Sequence, residues 1–307
     1  MGILIRISKR NNPERDAFFL TYHHGIGYKF LKIIQNLILL FGKSDEEPKF
    51  RKPASLVLEV SNLEYTPMHL NKLTLLSEKY PTREYYPFSL KLFNQTKSVE
   101  FSSPVTFFVG ENGTGKSTLL KALCKKCGIH IWQSAINTRL QPNPYEEALY
   151  MFLNIEWDDG KVPGAFFGSE TFQDFAQYLD EWAASDPAML EYFGGESLIT
   201  QSHGQSLMTL FKARYQIKGL YFLDEPETAL SPRSQLELLQ VLRKMGEAGH
   251  AQFIIATHSP ILLACPGAHI YSFDHTPVRK ISYRETEYYK IYKSFMEDPN
   301  EYLGKME

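Results

Sequence analysis

The chain has 307 residues, enough at roughly 150 residues per domain for two domains or one large one. Hydrophobic residues make up 43% and charged residues 22%, near the average for folded soluble proteins, which excludes disordered, collagen-like and low-complexity architectures. A net charge of −2 supplies no global field for nucleic acid, so any such contact has to come from a local patch.

Residues 1–10 read as a short strand (Ile3, Leu4, Ile5, Ile7), without the charged, apolar and small-residue succession of an export signal. Gly2 does not make a myristoylation site, because Arg6 stands where Ser or Thr is needed. Three cysteines, Cys124, Cys127 and Cys265, are too few for a disulfide framework; a reducing compartment, the cytoplasm by default, is expected. In residues 28–41 the apolar positions Phe30, Ile33, Ile34, Leu37, Ile38, Leu40 and Phe41 have the spacing of an amphipathic helix. Lys29, Lys32, Gln35 and Asn36 interrupt it, and it is too short to cross a bilayer. Its apolar face calls for cover by the body of the protein, by a partner, or by a membrane surface. The charged, proline-punctuated run 42–53 reads as a linker, so 1–53 is expected to be an accessory segment and 54–307 the main domain.

Strands are expected at 56–60, 88–93, 99–101 and 105–109, the last a continuous apolar run suited to burial on both faces. A helix follows at 117–126, with Leu119, Leu120, Leu123 and Cys124 at helical spacing. In the middle, Ile155 and Phe166-Phe167 read as strand pieces and 171–184 as a helix. Thereafter come a helix at about 205–212, a strand at 219–223, a helix at 232–246 capped by Ser231 with Pro232 in its first turn, and a strand at 252–256. Alternating strands and helices predict an α/β fold with a mainly parallel sheet flanked by helices.

Gly110-Glu111-Asn112-Gly113-Thr114-Gly115-Lys116-Ser117, followed by Thr118, fits G-x-x-x-x-G-K-[ST] without mismatch and lies between the continuous strand and its helix. Glycines let backbone N–H groups wrap phosphates at the positive end of a helix; Lys116 reaches the outer phosphates, and the Ser117 hydroxyl suits Mg²⁺. Such a P-loop needs an acid at the end of a neighbouring strand, and Leu220-Tyr221-Phe222-Leu223-Asp224-Glu225 supplies two. Adjacent strand residues point to opposite faces, so Asp224 is expected to serve the metal and Glu225 to act as general base on water.

Asp224-Glu225-Pro226, Ala229-Leu230-Ser231 and, after an apolar strand, Thr257-His258-Ser259 together resemble the ABC-type ATPases. Ser202-His203-Gly204-Gln205-Ser206, which starts 22 residues before Asp224, is similar to that family's signature loop with His203 in place of its first glycine. The stretches Pro87-Phe88-Ser89-Leu90, Val105-Thr106-Phe107-Phe108-Val109 and Ile254-Ile255-Ala256-Thr257-His258-Ser259-Pro260 look more like the RecF and SMC branch, with its stand-alone bacterial ATPases, than like transporter subunits.

The resemblance implies a P-loop NTPase with an antiparallel β subdomain and a helical signature subdomain, hydrolysing ATP with Mg²⁺. It further implies a homodimer in which Ser202, His203, Gly204 and Gln205 of one copy cover the ATP of the other, with His258 as the switch histidine. The family's glutamine-loop position, a further metal contact, falls at Glu170. Only 84 residues separate Ser117 from Ser202, too few for a long coiled-coil arm. The biological setting stays open between an effector-regulating ATPase in antiphage defence, a DNA-repair or genome-maintenance ATPase, and a transporter's nucleotide-binding subunit. Cys124, Cys127 and His130 have helical spacing but no second cysteine pair, so a buried helix face is expected rather than a metal site. Lys121, Lys125 and Lys126, with Lys212, Arg214 and Lys218, form either solvated faces or DNA or RNA contacts.

Overall fold

The computed structural model describes residues 7–8, 57–58, 68–131, 143–169, 172–186, 190, 195, 197 and 203–304. The chain divides into two compact units, 1–65 and 66–307. In the first, β1 (Ile7–Ser8) pairs antiparallel with β2 (Val57–Leu58). The expected amphipathic helix at 28–41 and the expected boundary at 53 lie outside the described residues.

The second unit is built on two sheets. Its large sheet has the order β11-β10-β5-β9-β8-β7, comprising β5 (Val105–Val109), β7 (Gly164–Gly168), β8 (Gly219–Asp224), β9 (Ala251–Ala256), β10 (His269–Ser272) and β11 (Arg279–Ile281). Every pairing is parallel except that of β11, an antiparallel edge strand. The small sheet is antiparallel, in the order β4-β3-β6, made by β3 (Leu70–Leu75), β4 (Ser98–Glu100) and β6 (Leu153–Trp157).

β5, β8 and β9 are buried at every position, as strands covered on both faces must be. Their side chains alternate between two cores. Phe108, Leu220, Phe222, Ile254 and Ala256 face a core shared with helix α2 (Lys116–Lys126) and the small sheet, through Leu119, Leu120, Leu123, Leu70, Leu73 and Val99. Phe107, Tyr221, Leu223, Phe253 and Ile255 face the other core, filled from α3 (Phe172–Ser185), α4 (His203–Arg214), α5 (Pro232–Glu247) and α6 (Pro260–Leu263). The expected cap of α5 is present: Ser231 Oγ accepts from Ser234 N at 3.2 Å, a contact worth about 1 kcal/mol.

Gln252 stitches the sheets together. Its Oε1 accepts from His69 N (3.0 Å) and Leu70 N (2.8 Å), and its Nε2 donates to Leu70 O (2.9 Å). Residues 88–93 are not the expected strand. Phe88 is buried in a loop, and Lys91–Gln95 forms the short helix α1. The Asn94 side chain donates to Phe88 O (2.7 Å) and Leu90 O (2.9 Å), closing the chain on itself and taking the backbone acceptors a sheet would need.

Candidate functional site

The parallel strands put their carboxyl ends at one edge, where loops carry ligands in open α/β sheets. The loop 110–115 leaves β5 there, with φ of +152° at Gly110 and +99° at Gly115. A Cβ on Gly115 would stand 2.7 Å from Phe93 Cζ, and one on Gly110 3.0 Å from both Asp274 Oδ1 and Phe273 Cβ. Both positions therefore need glycine, and α1 earns its place by setting Phe93 beneath the loop.

Lys116 is buried, and its ammonium donates to Gly110 O (2.6 Å) and Glu111 O (3.0 Å). Burial pushes its pKa down, against the opposing pull of Glu225, Asp274, Asp224 and Glu111. An ammonium folded onto its own loop among carboxylates is a stored cation for which a phosphate is the better partner. Asp274, just beyond β10, accepts from Glu111 N at 2.7 Å. Thr118 Oγ1 meets the hydroxyl of Tyr86.

Ser117 Oγ donates to Asp224 Oδ1 at 2.7 Å, and Lys121 Nζ lies 3.6 Å from Asp224 Oδ2. Asp224 ends β8, which is separated from β5 by β9, so the acid comes from two strands away and not from the adjacent strand expected. Burial raises its pKa, while the Ser117 hydroxyl and Lys121 pull it down. A hydroxyl and a carboxylate meeting at one point are the hard oxygen donors that Mg²⁺ takes, with water and phosphate completing its shell. These residues fit the ion. Among the described residues no three His, Cys, Asp or Glu side chains converge as a protein-only cage.

Glu225 is in the left-handed region, φ 48° and ψ 53°, the one non-glycine residue with positive φ among those described. A conformation of this kind costs of order 1–3 kcal/mol and is held by its surroundings. Here Glu225 N donates to Ala256 O at 2.9 Å, and Thr228 N and Oγ1 donate to Glu225 O at 3.2 and 2.8 Å. The Glu225 carboxylate lies beside His258, whose Nε2 is 3.3 Å from Glu225 Oε1. Nε2 is buried, and the contact is not aligned as a hydrogen bond.

His258 follows β9 and is fixed from several sides. Its backbone N–H donates to Glu227 Oε1, and its Nδ1 meets the hydroxyl of Tyr288, on helix α7 (Glu287–Glu297). Tyr288 OH also donates to Gly110 O at 3.2 Å. Ser259 accepts from Ile261 N and Leu262 N, each at 3.2 Å, and donates to Gln235 Oε1 at 2.6 Å. The Gln235 amide donates to Leu230 O at 3.0 Å, tying the turn after Glu225 to the turn that carries His258.

The structure thus brings together the loop residues Gly110, Glu111, Asn112, Gly113, Thr114, Gly115, Lys116, Ser117 and Thr118 with Asp224, Glu225 and His258. Ser202 and Glu170 lie outside the described residues. α4 begins at His203; Gly204 is half-buried, with Ala229 O 3.4 Å from the position of a Cβ, and Gln205 is exposed. Lys121, Lys125 and Lys212 pair with Asp224 (3.6 Å), Glu147 (3.1 Å) and Glu237 (3.3 Å). Cys124, Cys127 and Cys265 are free and buried, and burial pushes the Cys127 thiol up to about 12.

Tyr288, Glu227, Asp274, Gln235 and Tyr86 were invisible as site residues from sequence. Glu227 had a signal, since an acid two residues past Glu225 sits on the same turn; Tyr288 lay among helical aromatics that read as packing.

A strand, glycine loop and helix with Ser117 bonded to the acid of β8, on a mainly parallel sheet flanked by helices and beside an antiparallel one, define an α/β P-loop fold. Residues 206–264 match the family model described as "AAA domain, putative AbiEii toxin, Type IV TA system", and residues 89–125 match one described as "AAA domain". Among solved structures, the SMC head domain from Thermotoga maritima is 18% identical, with 70% of this chain and 99% of that chain covered and a TM-score of 0.40. The cbiO1 protein from Clostridium perfringens, part of the ABC transporter complex cbiONQ, is 16% identical, with 76% and 97% covered and a TM-score of 0.45. An SmcHead bound to the C-winged helix domain of ScpA is 12% identical, with 70% and 98% covered and a TM-score of 0.43. No curated protein matches the chain.

Proposed function

We propose that the chain binds and hydrolyses ATP with Mg²⁺, that two copies close around two nucleotides, and that this cycle regulates an effector protein or acts on nucleic acid. The observation that carries the reading is the Ser117–Asp224 bond beside the Glu225–His258 contact, which supports taking the first two as the metal-holding pair and the others as base and histidine. Mg²⁺ held by Ser117 and Asp224 would supply positive charge to the phosphate oxygens. Lys116 leaves the Gly110 and Glu111 carbonyls for the outer phosphates. Glu225 takes the proton of the attacking water. His258 orients that carboxylate.

Gly204 and the start of α4 stand against the Ala229 turn of their own chain, so a second copy is the natural source of a signature loop for the nucleotide. Among the described residues no helix is long and apolar enough to cross a membrane.

Light scattering of Glu225→Gln with and without Mg-ATP tests the assembly. The expected mass doubles with nucleotide and stays monomeric in the same variant carrying Gly204→Asp; a mass unchanged by bound nucleotide refutes the sandwich.

A further inference from the structure

The ladder between β8 and β9 is parallel and runs to the pair Asp224 and Ala256. Bonds in a parallel ladder alternate, so once Glu225 N has donated to Ala256 O at 2.9 Å, the next is due from His258 N to Glu225 O. The left-handed turn at Glu225 instead gives that carbonyl to Thr228, whose N and Oγ1 donate to it at 3.2 and 2.8 Å. On the far side of β9, Thr257 N donates to Phe108 O at 3.1 Å, so the next N–H, that of His258, faces the place β8 has left. Glu227 Oε1 accepts it.

We propose that Glu227 is a positioning residue for hydrolysis: its carboxyl oxygen stands in for the ladder acceptor that Glu225 has turned away, and through the backbone of His258 it sets the imidazole beside the Glu225 carboxylate. This rests on the proposed ATP hydrolysis at this site and names the residue that sets its histidine.

Glu227 is itself fixed by the turn Pro226–Ala229, with Leu230 N donating to Glu227 O at 3.1 Å. The histidine is then held at two points, its backbone by Glu227 and its ring by Tyr288, and the result is Nε2 at 3.3 Å from Glu225 Oε1. The second oxygen of Glu227, Oε2, is buried without a hydrogen bond. A buried carboxyl group with one oxygen unsatisfied costs stability, so the stability of the turn does not account for an acid here. Burial pushes the Glu227 carboxyl up, against the pull of the His258 N–H. An amide accepts that N–H through the same oxygen, so the contact itself needs an acceptor and not a charge.

The test is steady-state ATP hydrolysis by the full chain carrying Glu227→Ala, Glu227→Gln, His258→Gln, or Glu227→Ala with His258→Gln, with Mg-ATP binding and thermal melting measured on the same samples. Glu227→Ala should bind Mg-ATP within about threefold of wild type and lower kcat roughly 10–10²-fold with KM little changed, the usual effect of a misplaced catalytic group. Glu227→Gln should recover kcat to within about threefold of wild type, because it restores the acceptor. Added to His258→Gln, Glu227→Ala should cost no more than about twofold further, since a residue that acts through His258 has nothing left to position. Glu227→Met, which keeps the bulk and removes the acceptor, carries the same comparisons if the alanine chain does not fold. Wild-type kcat in Glu227→Ala or in His258→Gln, a glutamine chain as slow as the alanine one, or a full further loss in the double variant overturns the positioning role and leaves ATP hydrolysis standing. A wild-type chain that hydrolyses no ATP overturns both.

Discussion

Ser117 Oγ and Asp224 Oδ1 meet at 2.7 Å although 107 positions separate them, and the meeting is set by a strand order that puts β9 between the loop's strand and the acid's. Lys121, one turn further along α2, lies 3.6 Å from the other oxygen of the same carboxylate. The helix that follows the phosphate loop therefore reaches both oxygens of the Asp224 carboxylate.

Lys116→Ala removes the ammonium that now rests on Gly110 O and Glu111 O. Charge-assisted bonds are worth about 1.5–3 kcal/mol each, so losing two of them should weaken Mg-ATP binding by roughly 10²–10⁴-fold. Calorimetric titration checks this, and binding within threefold of wild type would remove Lys116 from the phosphate site.

Asp224 gives a prediction with a sign. Its folded pKa is raised by burial, so between the unfolded value, about 4, and the folded value the native chain holds a proton that the unfolded chain has released. The stability this contributes is complete below that window and is lost as the pH rises through it. Asp224→Asn keeps an acceptor for Ser117 and removes the charge, so at pH 7 the nucleotide-free variant should melt a few degrees above wild type while losing Mg²⁺-dependent ATP binding. Thermal melts at pH 7 and at pH 4 decide it: the difference should shrink at the lower pH, and a lower Tm at pH 7 would contradict it.

Gln252→Ala tests the junction of the two sheets. It leaves His69 N, Leu70 N and Leu70 O without their buried partner, at a cost of about 3 kcal/mol or more. The urea midpoint should fall accordingly. Gln252→Glu puts a carboxylate oxygen in the buried core against Leu70 O, so at pH 7 it should fall at least as far.

Much of this was legible in the sequence because it is local. The continuous run 105–109, the glycine loop and the apolar positions of 117–126 fix β5, the loop and α2 through burial and helical spacing, and Ser231 with Pro232 marks the start of α5. What was not legible depends on pairs far apart. The turn at 88–95 has strand-like residues, but Asn94 bonds to Phe88 O and Leu90 O, so a side chain overrides the alternation. β3 and β10 escaped notice because their partners are distant: β3 pairs with β4 and β6, and β10 lies beside β5. Tyr288 is 178 positions from Gly110, and no pattern along the chain announces a contact that only the packing of α7 creates.

The most direct test of the chain as an ATPase is phosphate release from Mg-ATP by wild type and by Glu225→Gln, with nucleotide binding measured on the same samples. Wild type should release phosphate only with Mg²⁺, and Glu225→Gln should bind Mg-ATP as well as wild type while turning over roughly 10²–10⁴-fold more slowly, the usual worth of a general base. Wild-type protein that binds no Mg-ATP, or a Glu225→Gln chain that hydrolyses it at the wild-type rate, would contradict the assignment.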